Sequence, residues 1–457
     1  MSKEVQRENK MGTMPMTRLI LSMSLPAIFS MTILAMYNVV DSVFIGNYDQ
    51  RGLTAVSLAY PLQLFLIAAS VGTAIGVNSL VSRKLGEKDF EHANSAATHG
   101  LVLCLFTYVI FLLIGLFAVR PFMSAFSEDK VVAEYGVQYL TVVLCFSVFS
   151  IIQVMIEKTL QSTGNMIYPM LFQMLGAIVN IIFDPLLIFG IGFFPEMGVL
   201  GAAIATVFGQ FCGMLFALII LFFKKHEIKI KLKGFRFDWT VVKNIYAVGF
   251  PSIIMQSIGA IMMLGLNSIF KAAGSEVSVR VYGIYFKLQS FVFMPCFGLN
   301  QGLMPIIGYN YGAKNKKRMY SALKNGIIIA AVIMAVGTLL MWLIPDVLIS
   351  MFGGDAQLMA KGEYAFRIIS LCFIPAAAGI IFTTMFQAVG KGFRSLVMSF
   401  ARQLVLVLPI AFILSVTLGV DFVWYAFPFA EICSLLLAIA FFMNLVRGDF
   451  KKLDNPD

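Results

Sequence analysis

Twelve apolar segments, separated by short polar loops, constrain the fold of this chain more than any other feature of its sequence. Each exceeds the roughly 20 residues that a helix needs to cross a bilayer. Hydrophobic residues make up 59% of the chain and charged residues 13%, well below the roughly 25% of a soluble domain. The sequence therefore predicts an all-α integral membrane protein with twelve transmembrane helices. The segments span approximately residues 18–46, 53–81, 93–119, 133–157, 168–192, 197–222, 240–270, 278–308, 319–345, 361–388, 394–419 and 421–446.

The two halves of the chain carry similar landmarks in the same order, at offsets of 224 to 226 residues. Because each half has an even number of spans, both copies share one topology and are related by an axis along the membrane normal. Two six-helix lobes with this pseudo-two-fold symmetry are typical of alternating-access transporters. The matching landmarks are Pro26 and Pro251, residues 85–86 and 311–312, residues 161–164 and 387–390, and Pro185 and Pro409.

The distribution of basic residues predicts the orientation in the membrane. Of the 34 Lys and Arg residues, 25 fall on the side of both termini, 6 on the opposite side and 3 within the segments. Since Lys and Arg collect on the cytoplasmic side, we expect a multi-pass protein of the cytoplasmic membrane with both termini in the cytoplasm. This asymmetry accounts for the net charge of +10, so no nucleic-acid partner is expected. The predicted organisation is a cytoplasmic segment 1–17, an N-terminal lobe 18–222, a basic linker 223–239, a C-terminal lobe 240–446 and a cytoplasmic tail 447–457.

The longest basic linker, KKHEIKIKLKGFRFDW at 224–239, alternates Ile or Leu with Lys over part of its length. This pattern is typical of a strap on anionic lipid headgroups. It is equally compatible with an ordinary solvated linker, and the sequence leaves both interpretations open.

Enzymatic motifs are missing from the sequence. There is no phosphate-binding GxxxxGK[ST], no HExxH and no GxSxG. The six cysteines all lie in apolar segments without CxxC spacing, and the three histidines are far apart in the sequence. We therefore expect neither an enzyme nor an ATP-driven pump, and no bound cofactor.

Two intramembrane carboxylates point to a functional site. A carboxylate in lipid costs at least ~2.5 kcal/mol, so Asp41 and Asp184 should face a protein-lined chamber. At 1.5 Å per residue, Asp41, Asp184 and Thr206 lie about 8, 12 and 14 Å from the outer ends of their spans, so they should converge. Asn180 lies one helical turn before Asp184. Two carboxylates in a chamber of low dielectric cannot both stay charged, which predicts a bound proton or a hard cation with oxygen ligands.

Structural roles for these acids remain possible at this stage. Asp184 would then anchor backbone freed by Pro185, and Asp41 would contact water at the outer interface. In the second half, Asp41 falls opposite Leu266 or Asn267, and Asp184 opposite Leu408. Because no carboxylate has a counterpart there, the ion site is expected in the N-terminal lobe alone.

Six motifs follow one another along the chain. They are VVDSVFIG (39–46), VSRKLGEKD (81–89), QSTGN (161–165), NIIFDPLLIFG (180–190), GVLGAAIAT (198–206) and GLNQGLMPIIGYNYGAKN (298–315). With these motifs the sequence resembles the multidrug and toxic compound extrusion (MATE) transporters, especially the MepA-like bacterial branch.

The resemblance implies a secondary antiporter that exports organic cations and amphipathic drugs in exchange for H⁺ or Na⁺ by alternating access. It also implies that Asp41, Asn180 and Asp184 form the ion-coupling site, with Thr206 a less secure match. A metal is expected only if Na⁺ binds at these three residues, and we favour H⁺.

Two alternatives to a drug antiporter have less support in the sequence. A flippase of the same superfamily for lipid-linked oligosaccharides or peptidoglycan precursors should have a cavity rich in Arg and Lys, and this chain offers mainly Lys287. An integral-membrane transferase acting on lipid would need a catalytic constellation that the sequence does not contain.

The 27 methionines, 43 phenylalanines and 15 tyrosines suit a promiscuous drug pocket in a protein that is expected to be monomeric in the bilayer. Pro26 is expected to act as a bend in the first span. Arg402 and Glu431 are expected to pair structurally, while Lys287 either faces the cavity or snorkels. Each proposed lining residue is also compatible with ordinary helix packing. They are Tyr37, Asn38, Gln63, Met174, Gln256, Met262, Tyr285, Lys287 and Gln289.

Overall fold

The computed structural model describes residues 9–231, 233–353 and 356–451. All regular secondary structure within these ranges is helical, which confirms the predicted fold class. Residues 1–8 of the predicted N-terminal segment and 452–457 of the predicted tail lie outside the described residues.

The helices of the N-terminal half follow the predicted spans closely. Within the described residues, eleven helices are long and apolar enough to cross a membrane, and one pair bent by 48° makes a twelfth. The fourth span, predicted to end at residue 157, continues to Ser162 in that pair. The helices are α1 (Lys10–Thr13), α2 (Met16–Tyr48), α3 (Gln50–Gly86), α4 (Phe90–Leu113), α5 (Val119–Phe126), α6 (Lys130–Cys145), α7 (Val148–Ser162), α8 (Ile167–Ile188) and α9 (Gly198–Phe223).

The C-terminal half repeats this order of long spans with more interruptions. A π-helical stretch, Ala401–Val407, joins α16 to α17 within one span, and α14 and α15 together form another. The helices are α10 (Trp239–Ala272), α11 (Glu276–Gly312), α12 (Lys316–Leu343), α13 (Pro345–Ser350), α14 (Ala356–Ile369), α15 (Phe373–Ala388), α16 (Gly392–Phe400), α17 (Leu408–Thr417) and α18 (Ala426–Arg447).

Two compact units divide the described chain, and their borders differ from the predicted lobes 18–222 and 240–446. The N-terminal unit is Phe29–Ile253, and the C-terminal unit combines the chain up to Ile28 with the chain from Ile254. The borders therefore fall inside α2 and α10 rather than in the basic linker. Each unit contains the first part of the opening helix of the other half.

Glycines explain why these helix segments pack across the sequence halves. In the C-terminal unit, a Cβ added at Gly302 would lie 3.0 Å from the backbone nitrogen of Ser24, and Gly298 faces Ile28 in the same way. In the N-terminal unit, Gly72 faces Ile253, with a Cβ 2.8 Å from its backbone nitrogen. Gly72 and Gly298 are 226 residues apart, so the duplicated sequence repeats this close approach.

The packing of α8 against α9 positions the polar residues of the N-terminal unit. A Cβ added at Gly201 would lie 2.5 Å from the carbonyl oxygen of Leu187, and one at Gly209 would lie 2.6 Å from that of Gly176. Such a Cβ at Gly209 would also lie 3.3 Å from the Cβ of Asn180. Glycines thus let the two backbones touch where the polar residues of both helices lie.

Candidate ion-coupling site

Three helices of the N-terminal unit bring together the four residues that the sequence selected. Asp41 comes from α2, Asn180 and Asp184 from α8, and Thr206 from α9. All four are at least nine-tenths buried. The amide nitrogen of Asn180 donates to Asp184 Oδ1 at 3.2 Å and to Thr206 Oγ1 at 3.4 Å. The carboxyl groups of Asp41 and Asp184 are close enough to interact with each other.

Several oxygens of this cluster are buried without a hydrogen-bond partner. They are Asp41 Oδ1, Asn180 Oδ1 and Asp184 Oδ2. A buried acceptor without a donor costs about 1–3 kcal/mol, so groups like these are rarely left without a proton, a water or a cation. Asp184 Oδ1 accepts its hydrogen bond from the side chain of Asn180. The purely structural interpretation of Asp184 requires instead a hydrogen bond with the backbone near Pro185.

Tyr139 on α6 belongs to the same neighbourhood, although the sequence analysis did not select it. Its side chain is 2% exposed and lies close to both carboxyl groups and to Gln63 of α3. Tyr37, one turn before Asp41 on α2, also interacts with both acids. The only available signal for Tyr139 was a phenol inside an apolar span. A phenol near two carboxyl groups offers a hydrogen-bond donor to a site that otherwise consists mainly of acceptors.

A family model for MatE matches residues 26–186 and again residues 248–413 of the chain. The chain belongs to the MatE family. The two matches fall on the two halves of the chain, in agreement with the internal repeat seen in the sequence. The chain is thus a membrane transporter and not an enzyme, as predicted.

Similar proteins include several MatE transporters. "Multidrug export protein MepA" of Staphylococcus saprophyticus is 27% identical over 414 residues, covering 90% of both chains. "FAD transporter" of Shewanella oneidensis is 26% identical over 432 residues, covering 93% of both. A solved structure described as the outward-facing conformation of a multidrug resistance MATE family transporter superposes with a TM-score of 0.90. It is 25% identical, and the match covers 98% of this chain and 99% of that one.

The predicted drug-lining residues of this MatE protein occupy different environments in the two units. In the N-terminal unit, Tyr37 and Gln63 lie near the acids, Met174 is half-buried, and the exposed Asn38 donates its amide to the carbonyl of Leu34. In the C-terminal unit, Tyr285 is 1% exposed within an aromatic cluster that includes Phe366, Phe373 and Phe427. The half-buried members of that unit are Gln256, Met262 and Gln289. Their contacts with a substrate stay predictions.

Intramembrane charges of the C-terminal unit have partners. Arg402 Nη1 donates to Glu431 Oε1 at 3.2 Å, which confirms the predicted pair. The exposed Lys287 extends over the ring of Phe352, with Nζ 5.6 Å from the ring centroid. This contact agrees with the snorkelling interpretation of Lys287 rather than with a free cation in a cavity.

A second buried polar cluster lies in the N-terminal unit, at the end of α7 that the sequence analysis assigned to a loop. Glu157 is 3% exposed and accepts two bonds of 2.9 Å from the amide of Gln173, while Gln161 donates to it at 3.1 Å. Lys158 Nζ donates to Gln161 Oε1 at 2.9 Å. The cluster was missed because the predicted span ended at Glu157, whereas α7 continues for more than another turn.

Proposed function

We propose that this MatE protein is a secondary antiporter that exports organic cations and amphipathic drugs in exchange for protons. The observation that carries the proposal is that the buried carboxyl groups of Asp41 and Asp184 are neighbours and that each keeps an oxygen without a hydrogen-bond partner. Two neighbouring carboxylates repel each other strongly in low dielectric unless one of them binds a proton. The pair therefore has the properties of a site that gains and loses a proton during transport.

Sodium is the alternative coupling ion at the same residues. Oxygen ligands suit a hard cation, and Asp41, Asn180 and Asp184 each have a buried oxygen without a donor. Thr206 would add a hydroxyl oxygen to this set. We favour protons because a proton also accounts for the close approach of the two carboxyl groups.

Pro26 is the proposed link between ion binding and the rest of the cycle. It lies inside α2, 15 residues before Asp41, and two residues before the border between the units. Proline removes one helix hydrogen bond and so lowers the cost of bending at this point. In this proposal, protonation of the acid pair shifts α2 between bent and straight forms and thereby releases the drug.

The family relatives and the composition of the chain support the proposed substrate class. The relative from Staphylococcus saprophyticus is named a multidrug export protein. Met adapts to different shapes, and aromatic faces attract organic cations, so the Met- and Phe-rich interior suits such substrates. A flippase for lipid-linked precursors would need Lys287 to hold a pyrophosphate in its cavity. Because Lys287 contacts Phe352 instead, this alternative has less support.

The test is efflux of a fluorescent organic cation from proteoliposomes that carry a pH gradient alone and then a sodium gradient alone. We expect the pH gradient to drive efflux, and Asp41→Asn and Asp184→Asn each to reduce it at least about tenfold, which corresponds to about 1.4 kcal/mol. Asp49→Asn is the matched control, because Asp49 is an acid outside the site that caps α3 and Asn also caps helices.

Three results would contradict parts of this proposal. Efflux that survives in both variants would remove the carboxyl pair from the mechanism. Efflux driven by sodium alone would replace the proton by Na⁺. Transport of an anionic dinucleotide such as FAD, with no transport of cations, would replace the substrate class.

A further inference from the structure

The basic linker between α9 and α10 is attached to the N-terminal unit through its backbone. The amide of Lys229 donates to Asn94 Oδ1 at 2.6 Å, and the amide of Lys231 donates to Thr98 Oγ1 at 3.3 Å. Asn94 and Thr98 are one turn apart on α4. The linker therefore follows the surface of this helix in an extended conformation.

Extended backbone separates the apolar and basic side chains of the linker. Ile228 is 3% exposed, and Ile230 packs against an apolar cluster formed by α7, α8 and α9. Lys229 lies between the two isoleucines and Lys231 follows Ile230, and both lysines are exposed. Alternate residues of an extended chain point to opposite sides, so the isoleucines face the protein and the lysines face away from it.

Two histidines hold the ends of the linker. His226 Nε2 donates to the carbonyl oxygen of Ile220 at 2.9 Å, next to the end of α9. His99 is 1% exposed, and its Nε2 accepts the backbone N–H of Asp238 at 2.9 Å. Because this backbone group can only donate, the proton of His99 is on Nδ1, which donates to Ser95 O at 2.8 Å. The row of basic residues is thus held in place rather than free to move.

Aromatic side chains bracket the linker at the ends of both spans. Phe222 and Phe223 at the end of α9 are 65% and 84% exposed, and Trp239 at the start of α10 is 68% exposed. Large aromatic residues at the ends of transmembrane helices lie at the level of the lipid headgroups. The basic row between them should therefore lie at that level too.

The charge of the linker is strongly positive. Asp238 stays charged, since the backbone N–H of Thr240 donates to it at 2.7 Å and holds its pKa below the usual range. Glu227 is the other acid in this stretch. The basic residues outnumber them six to two and are all exposed: Lys224, Lys225, Lys229, Lys231, Lys233 and Arg236.

We propose that residues 222–231 and 233–239 form a binding surface for anionic phospholipid headgroups in the leaflet on the linker side of the membrane. The fixed lysines bind the phosphates, and the exposed rings of Phe222, Phe223 and Trp239 insert beside the acyl chains. The exposed rings favour a membrane over a soluble polyanion as the binding partner, because a soluble polyanion would leave this apolar surface in water. The surface is separate from the ion-coupling site, so it does not depend on the proposed antiport.

The experiment measures quenching of Trp239 by brominated lipid in nanodiscs that hold the full-length protein. The Trp239 signal is the difference between the wild type and Trp239→Phe. Nanodiscs of equal phosphatidylcholine and phosphatidylglycerol content carry the bromine on one lipid or on the other. We expect stronger quenching from brominated phosphatidylglycerol, and loss of this excess in Lys229→Gln/Lys231→Gln/Lys233→Gln and at high salt.

The matched control is Lys314→Gln/Lys317→Gln/Lys324→Gln, which removes the same number of exposed charges from another region of the chain. This variant should keep the excess quenching. Equal quenching by the two brominated lipids in the wild type would overturn the proposal. So would an excess that persists in the linker variant, or one that the control variant loses equally.

Discussion

Hydrogen-bond satisfaction separates the buried charges of the two units into different roles. Glu431 in the C-terminal unit accepts a bond from Arg402, whereas Asp41 and Asp184 each keep one buried oxygen without a donor. A charge that already has a counter-charge gains little from binding a proton or a cation. An unsatisfied acceptor gains from binding a proton or a cation, so the acid pair is suited to exchange and the ion pair to stability.

The Arg402–Glu431 pair provides a prediction at the residue scale. Glu431→Gln should lower the stability by about 2–3 kcal/mol, because removal of one partner leaves a mostly buried guanidinium without its counter-charge. Replacement of both residues by Met should restore most of this loss. Thermal unfolding of the purified protein in detergent measures both effects.

Asp421→Asn is the control for that measurement. It breaks the Lys361–Asp421 pair, which has a similar length of 3.1 Å but side chains that are 37% and 53% exposed. An exposed pair contributes about 0–1 kcal/mol, so the melting temperature should change little. A loss of stability equal to that of Glu431→Gln would show that the buried Arg402–Glu431 pair contributes no more than an exposed pair.

The charged residues in apolar spans could be selected from the sequence, as could Asn180 and Thr206, but Tyr139 could not. Asp41 and Asp184 were conspicuous because a carboxylate in lipid is costly. Tyr139 was one of 15 tyrosines, and only the contact of α6 with the site distinguishes it. Glu157 lies at the end of the predicted fourth span, and only the continuation of α7 to Ser162 shows that it is buried within a helix.

At the scale of the helix, the borders of α2 and its proline lead to a second prediction. Pro26→Ala restores a backbone hydrogen bond and should favour a straight α2. We expect slower cation efflux with an unchanged or higher melting temperature, because the substitution restores a helix hydrogen bond and makes bending at this position more costly.

Pro61→Ala is the matched control for the hinge, since Pro61 lies inside α3 and is exposed. It removes a proline from the interior of another long helix, at a position far along the chain from either unit border. Full efflux in Pro26→Ala, or an equal loss in Pro61→Ala, would contradict the role of Pro26 in coupling.

Helix existence could be predicted from apolar length alone, and the spans agree with the structure within several residues. The borders of the units could not be predicted, because no change in composition marks positions 28 or 253. They depend on which helix segments can approach the glycines of α3 and α11, and this is a property of tertiary packing.

At the scale of the whole molecule, the duplicated chain has one acid pair, in the N-terminal unit. Because the two carboxyl groups are buried beside each other and repel when both are charged, we expect the site to exchange a single proton in each cycle. Export of a monovalent cation should be electroneutral and should not respond to a potassium–valinomycin potential in proteoliposomes.

A divalent cation is the internal control for this stoichiometry. Its exchange for one proton moves one net positive charge outward, so an inside-negative potential should slow it. Equal sensitivity of monovalent and divalent substrates to the potential would contradict the exchange of a single proton.

The interleaving of α2 and α10 also affects how the protein is made. The N-terminal unit needs residues up to Ile253, and the C-terminal unit needs the opening of α2, which is synthesised first. The nascent segment before Ile28 therefore lacks its glycine partners in the C-terminal unit until α11 has been translated. Two separately expressed halves would each insert an incomplete bundle, with a glycine-lined furrow open to lipid where the exchanged segment belongs.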